Sequence, residues 1–431
     1  MKQPNFIFIV ADDLGYADLG CYGGRSGCSP VLDGMAREGL RFTQGYANSS
    51  VCSPTRFALI TGRWQHRLRG AADEPLSTVR RDGPPLGLPP EHPTLPSLLA
   101  KAGYATALVG KWHLGWLPHF GPLKSGYQEF FGAMSGGLDY FTHRDSIGAH
   151  DLWEGERESA QAGYLTDLFS DKAVAFVKRA RQPFLLSLHY TAPHWPWETR
   201  HDEAEARRLE KIFHTDGGSV RTYAEMIREM DEGIGRVLEA LRATGAEENT
   251  LVVFTSDNGG ERYSDTWPLI GKKMDLLEGG IRVPYLVRWP ARVRAGGVTS
   301  QQAISMDWMA TFLEAAGVGA DERYPLDGMS LLPILEQPGK ILERTLFWRM
   351  TFRAQKAARS GDWKYLSVDG HEYLFDLAQD ERERANVAKR FPERLEELKK
   401  KYSAWEAAMP PIPGDAKFSL VYGPAELPHP S

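Results

Sequence analysis

The sequence predicts an α/β protein, a mainly parallel central sheet flanked by helices, followed by a small α+β unit with an antiparallel sheet. Three observations carry that prediction. Short, unbroken apolar runs recur along the chain, the pattern of strands buried on both faces of a parallel sheet. Amphipathic helical patterns separate them, and alternation of the two is the mark of an α/β fold. After the segment Leu326-Asp327-Gly328-Met329-Ser330-Leu331-Leu332-Pro333 the pattern changes to short strand-like pieces and one charged helix. The expected division is therefore a large α/β domain over residues 1–335 and a smaller unit over 336–431.

Taken in order, the first strand is the run 6–10, Phe-Ile-Phe-Ile-Val, which leads directly into Asp12 and Asp13. Cys52 lies just ahead of a short apolar run that Gly62 closes, and Pro54 fits the first turn of a helix there, where a missing N–H costs nothing. The polar stretch 72–90 reads as a loop on the rim of a site. A helix over 94–103 precedes a second strand at 105–109, and a helix over 166–181 precedes a third at 184–188. The clearest helix carries Tyr223, Met226, Ile227, Met230, Ile234, Val237, Leu238 and Leu241 on one face and ends at Gly245. Strands at 251–255 and 283–287 complete the sheet. Beyond it lie strand-like pieces at 345–349, 363–368 and 372–375, a helix over 392–408 and a Pro-rich tail.

Composition narrows the function. At 42% hydrophobic and 25% charged, the chain has the make-up of an ordinary globular protein. A net charge of -5 offers no general attraction to nucleic acid or to anionic membranes, so an anionic small molecule has to be drawn in by local positive charge. Cys21, Cys28 and Cys52 are too few for a disulfide framework, although Cys21 and Cys28 are close enough in sequence to pair. There is no apolar run of spanning length and no export signal, so the expected location is cytoplasmic as the sequence stands, and periplasmic or secreted if a leader precedes it.

In parallel sheets, ligands bind beyond the carboxyl ends of the strands. Four polar clusters stand there: Asp12 and Asp13, Lys111 and His113, His189 with His194, and Asp257 with Asn258. Three carboxylates in one place repel unless a cation joins them, and an all-oxygen set suits Ca²⁺ or Mg²⁺ rather than zinc. Cys52 at a helix N-terminus, with Arg56 one turn on, reads as an anion site holding a reactive atom.

The stretch from Cys52 through Pro54 and Arg56 to Thr61-Gly62-Arg63 resembles the signature of the type I sulfatases, in the alkaline phosphatase superfamily. Gly110-Lys111-Trp112-His113-Leu114-Gly115 is similar to that family's second signature, and Ser29-Pro30-Val31-Leu32-Asp33 and Leu374-Phe375-Asp376-Leu377 match further family segments. The resemblance implies an alkaline-phosphatase-like fold and hydrolysis of aryl or carbohydrate sulfate esters. It implies that a maturation enzyme oxidises Cys52 to formylglycine, and that Asp12, Asp13, Asp257 and Asn258 bind a divalent cation, Ca²⁺ before Mg²⁺. Arg56, Lys111 and Lys273 are then expected to hold sulfate oxygens, His194 to protonate the leaving oxygen and His113 to help release sulfate. Ser135 matches a family serine near the sulfate. Lys273 stands five residues before Glu278, the spacing of that family's substrate-binding lysine, and Lys272 is adjacent to it. Arg63, His66, Arg67, Arg69, His143 and Arg144 are candidates for the rim that meets the organic part of the substrate. The rival on the same scaffold is a phosphonate or phosphate ester hydrolase, and a more distant one is a Cys-His hydrolase using Cys52 as a thiolate.

Overall fold

The computed structural model describes residues 3–181, 183–209 and 217–419. Its strands, in chain order, are β1 (Asn5–Ala11), β2 (Leu40–Phe42), β3 (Gly45–Tyr46), β4 (Ala105–Gly110), β5 (Glu129–Gly132), β6 (Trp153–Glu154), β7 (Arg157–Glu158), β8 (Phe184–His189), β9 (Thr250–Ser256), β10 (Tyr285–Arg288), β11 (Gly297–Thr299), β12 (Ala303–Ile304), β13 (Thr345–Met350), β14 (Gln355–Ser360), β15 (Trp363–Val368) and β16 (His371–Asp376). Ten of them make one sheet in the order β11-β2-β10-β9-β1-β8-β4-β5-β6-β7. Its centre, from β9 to β5, is parallel throughout. The run at 283–287, grouped above with the parallel strands, enters as β10, antiparallel to β9. Burial on both faces makes a run apolar but carries no information about direction.

Alternation along β1 divides the core. Ile7, Ile9 and Ala11 pack into one apolar cluster with Phe169, Met226, Met230 and Ile234, from helices Leu165–Arg179 and Val220–Ala243. Phe6, Phe8 and Val10 point the other way, onto Phe57, Leu99, Trp308 and Phe312. A strand with helices on both sides is buried on both faces, and all seven residues of β1 are buried, apolar from Phe6 to Ala11.

The second sheet is antiparallel, β13-β14-β15-β16, and is covered by helix Pro392–Ala407 through Leu398, Tyr402 and Trp405. β14, Gln-Lys-Ala-Ala-Arg-Ser, has no β-branched or aromatic residue to announce it, yet it pairs on both sides. This sheet shares one apolar cluster with Tyr46, Val51, Ala58 and Leu276, so it packs directly behind the segment that carries Cys52. Cys21, Cys28 and Cys52 are all free. Among the described residues, no helix is long and apolar enough to cross a membrane.

Candidate active site

Register places the polar clusters. Ala11 on β1 lies beside Ser256 on β9, so the next residues, Asp12 and Asp257, leave the sheet side by side. Gly110 on β4 lies beside His189 on β8, and Val10 on β1 also lies beside His189, which puts Lys111 on the same edge. Asp13 takes a left-handed backbone, with φ of 64°, a conformation that Asp tolerates better than most residues.

Helix Cys52–Thr61 is buried at all ten positions and aims its N-terminus at this edge. Val51 provides no side-chain cap, and Gly62 ends the helix in the left-handed conformation, with φ of 64°. The approach loop is clamped by Thr55, whose hydroxyl accepts from the Ser49 N–H at 2.9 Å and donates to the Ser49 carbonyl at 3.1 Å. Ser53 accepts from the Leu76 N–H at 2.7 Å, tying the rim loop to the helix.

The edge is a nest of buried charge. One ligand atom each from Asp12, Asp13, Cys52 and Asp257 lies within 4.8 Å of the others. Arg56 donates from Nε to Asp257 at 2.9 Å, holds the same oxygen with Nη2 at 2.8 Å, and donates from Nη1 to the Lys111 carbonyl at 3.1 Å. Lys111 pairs with Asp12, and Lys273 donates to Asp13 at 2.7 Å. Three carboxylates thus face three cations. Burial raises the Asp257 carboxyl and the neighbouring Asp12 adds to it, against the pull of Arg56. Burial acts in the same direction on Asp13, but Lys273 leads the opposing groups and holds that carboxyl well below the ordinary range.

Asn258 donates from Nδ2 to Asp13 at 2.7 Å and to the Gly259 carbonyl at 2.9 Å, while its Oδ1 is buried with no hydrogen-bond partner. A buried acceptor left bare is costly, and this one stands among carboxylates. Apart from the Cys52 sulfur the donors are hard oxygens, and the cluster is compatible with a metal site.

The cleft above the nest is lined by Cys52, His113, His194 and Lys273, with a rim that includes Leu76, Ser77, Thr78, Ser146, Trp195 and Ser419. His113 Nε2 lies 2.8 Å from the Leu76 carbonyl, and His194 Nδ1 lies 2.6 Å from the Trp195 carbonyl, contacts that fit an N–H on each of those nitrogens. His194 Nε2 is 3.7 Å from Asp13. Burial pushes the His194 imidazole down to about 3 and that of His113 well below its ordinary value, so both are neutral. Burial also pushes the Cys52 thiol up, and its Sγ meets Asp12 Oδ1 at 3.6 Å rather than a histidine. A ring nitrogen of His194 also lies within 4.8 Å of this sulfur, but the raised thiol and its carboxylate neighbour disfavour the thiolate that a Cys-His hydrolase needs.

Arg56, 1% exposed, is held by Asp257, and Lys111 by Asp12, and neither is among the residues that line the cleft. Of the two adjacent lysines, Lys273 and not Lys272 lines the cleft. Ser135 turns away: its hydroxyl accepts from Arg81 at 3.1 Å and Trp116 at 3.3 Å, and the next two residues, Gly136 and Gly137, face the cleft instead. The basic patch is consumed elsewhere, Arg67 by Asp327, Arg69 by Asp73 and Asp415, and Arg63 by His92 and the Tyr324 ring. His143 bonds the Gly163 carbonyl and Arg144 the Gly148 carbonyl. The rim residues Ser146 and Ser419 lie in no motif, whereas Trp195 directly follows His194. The Glu74 N–H donates to the Lys417 carbonyl at 3.0 Å and the Ser419 N–H to the Glu74 carbonyl at 3.1 Å, which brings the tail to the rim.

Comparison with known proteins adds to this geometry. The sulfatase family model matches residues 4–318, and a model of the C-terminal part of N-sulphoglucosamine sulphohydrolase matches residues 267–405. N-acetylgalactosamine-6-sulfatase of Homo sapiens is 35% identical over 372 residues, covering 80% of this chain and 68% of that protein. Arylsulfatase A of Homo sapiens is 32% identical over 462 residues, covering 92% and 87%. The crystal structure of Ps i-CgsB aligns with a TM-score of 0.84 at 32% identity, covering 94% of this chain and 93% of that one, and the same protein is also solved in complex with k-i-k-neocarrahexaose.

Proposed function

The chain belongs to the sulfatase family and is a sulfuric ester hydrolase, and on that premise we propose that it works through Cys52 oxidised to formylglycine, beside a Ca²⁺ ion held by Asp12, Asp13, Asp257 and Asn258. The observation that carries this reading is the bare Asn258 Oδ1 within a nest of three carboxylates that also holds the Cys52 side chain. The oxidation needs a maturation enzyme as partner. Hydrated formylglycine offers two hydroxyls on one carbon, one to attack sulfur and a second through which sulfate is expelled and the aldehyde restored. The bound cation supplies Lewis-acid stabilisation of charge on oxygen.

The chain's own residues divide the remaining work. Lys273 both reaches the cleft and belongs to the charged nest, which suits it to contact a sulfate oxygen as a point charge. Lys111 balances Asp12 from behind, and Arg56 holds Asp257 beside the nucleophile. His194 protonates the leaving oxygen. In the ligand-free site burial keeps this imidazole neutral, and the negative charge of an entering ester acts the other way, favouring the protonated form that acid catalysis needs. His113, on the opposite side of Gly136-Gly137, is placed to take a proton during sulfate release.

A saccharide sulfate is the substrate class the rim favours. Hydroxyls of Ser77, Thr78, Ser146 and Ser419 and the ring of Trp195 surround the cleft mouth without a carboxylate among them. Turnover of sulfated mono- and disaccharides, set against aryl sulfates, tests this, and a preference confined to aryl sulfates rejects it. The phosphate-ester rival is tested with a sulfate and a phosphate ester of one phenol, and faster phosphate hydrolysis rejects the sulfatase reading of the pocket.

The role given to His194 makes a prediction of its own. A nitrophenolate departs without a proton, whereas a sugar alkoxide does not. His194→Ala is expected to lose about 10²–10⁴-fold on a sugar sulfate and much less on nitrophenyl sulfate. Steady-state kinetics on both substrates check it, and equal losses would assign the proton to another residue.

A further inference from the structure

We propose that Gln355, in the C-terminal sheet, is a positioning residue for Lys273, so that the second sheet sets the geometry of the sulfate-binding cation. This rests on the reading of Lys273 as a sulfate contact. Gln355 opens β14 and is 2% exposed. Its Oε1 accepts from the Leu276 N–H at 2.9 Å, and its Nε2 donates to the Met274 carbonyl at 2.8 Å and the Phe352 carbonyl at 3.1 Å. Two of these three bonds fall on residues immediately beyond Lys273, across some eighty positions of sequence.

Backbone strain shows why the segment needs holding. Met274 has φ of 80°, in the left-handed region that a residue with a side chain keeps only when its surroundings enforce it. Within the segment, the Asp275 N–H donates to the Lys272 carbonyl at 2.9 Å and the Lys272 N–H to Asp275 Oδ2 at 3.1 Å, which closes a turn around Lys273 and Met274. The Met274 N–H donates to the Ser50 carbonyl at 3.0 Å, two residues before Cys52, and its carbonyl is taken by Gln355. On the near side, the Lys273 N–H donates to the Gly260 carbonyl at 2.9 Å, two residues after Asn258. Lys273 is therefore suspended between the loop after β9, the loop before Cys52 and the C-terminal sheet. Of these anchors from outside the turn only Gln355 is a side chain, and it fixes both Met274 and Leu276. Without it the turn loses its tie to the C-terminal sheet, and the Lys273 ammonium group is held less firmly toward Asp13 and the cleft.

The test is a double-mutant cycle on the matured, metal-loaded enzyme. Gln355→Met keeps the length of the side chain and removes its hydrogen bonds. It is expected to lower kcat/KM on nitrophenyl sulfate by about 10–100-fold, the scale of a misplacement near 1 Å. In a Lys273→Ala background the same change is expected to cost less than about twofold, because the two residues act through one contact, while in a His194→Ala background the full loss persists. Equal losses in the wild-type and Lys273→Ala backgrounds overturn the proposal and leave the role of Lys273 standing. If Lys273→Ala is itself as active as wild type, the reading of Lys273 fails and takes the proposal with it. Gln355→Glu, which keeps the acceptor for Leu276 and loses the donor to Met274, replaces Gln355→Met in the cycle if that variant does not fold, with the same pattern expected and the same pattern overturning it.

Discussion

Cys52→Ala is expected to abolish turnover of every sulfate ester, by on the order of 10⁶-fold, the scale on which removal of a covalent nucleophile acts. Fold and binding should survive the change. The side chain is buried at the first position of its helix, its thiol makes a single long contact to Asp12, and Gly62 and the Thr55-Ser49 clamp hold the helix independently of it. Circular dichroism and the melting temperature should therefore match wild type while kcat collapses. Cys52→Ser is more informative, since one hydroxyl can attack but no second one is present to expel sulfate, and a stoichiometric burst without turnover is expected. Peptide mass spectrometry of active wild-type enzyme should show CHO in place of CH2SH at position 52. Activity from protein that is entirely unmodified cysteine would overturn the proposed nucleophile.

Removal of the cation is expected to have the second largest effect, with Asp257→Asn as its genetic counterpart. Chelation should cut activity at least about 10³-fold, and Ca²⁺ or Mg²⁺ should restore it where Zn²⁺ does not, because the donors are all oxygen. Elemental analysis supplies a readout that does not depend on turnover, and Asp257→Asn and Asn258→Leu should both lower bound metal. Asp257→Asn also removes the partner that Arg56 holds at 2.8 Å with both groups buried. Breaking such a pair typically costs about 3–5 kcal/mol, so this variant should melt earlier as well as lose metal, whereas Asn258→Leu, which strands no charge, should lose metal with a smaller thermal penalty. Full activity in protein shown to be metal-free would remove the cation from the mechanism.

Much of this site is legible in the chain because its parts are local. The apolar runs, the residues that follow each of them and the Cys52 helix with its Pro and Gly are set by neighbours a few positions away, and for Asp12, Asp13, Asp257, Asn258, His113, His194 and Lys273 the structure brings together what the sequence singles out. The directions that the Arg56 and Ser135 side chains take are not legible in the same way, for an identifiable reason. A side chain's type and spacing say what it can bind, but its direction depends on which partner is nearer in space. For Arg56 that partner is Asp257, 201 residues away, and for Ser135 it is Arg81, across 54 residues.

By itself, then, the sequence determined the α/β class, the family signature and the identity of the charged groups at the carboxyl edge of the sheet, all of them carried by short segments whose chemistry and periodicity act within a few residues. Tertiary structure alone decided the antiparallel entry of β10, the central place of β14, the rim formed by Ser146, Trp195 and Ser419, and the attachment of Gln355 behind Lys273. Each of these depends on a hydrogen bond or a packing contact between segments far apart in the chain. Such a contact exists only once the sheets have brought both partners to one place, and neither partner carries a periodic or compositional mark of the other.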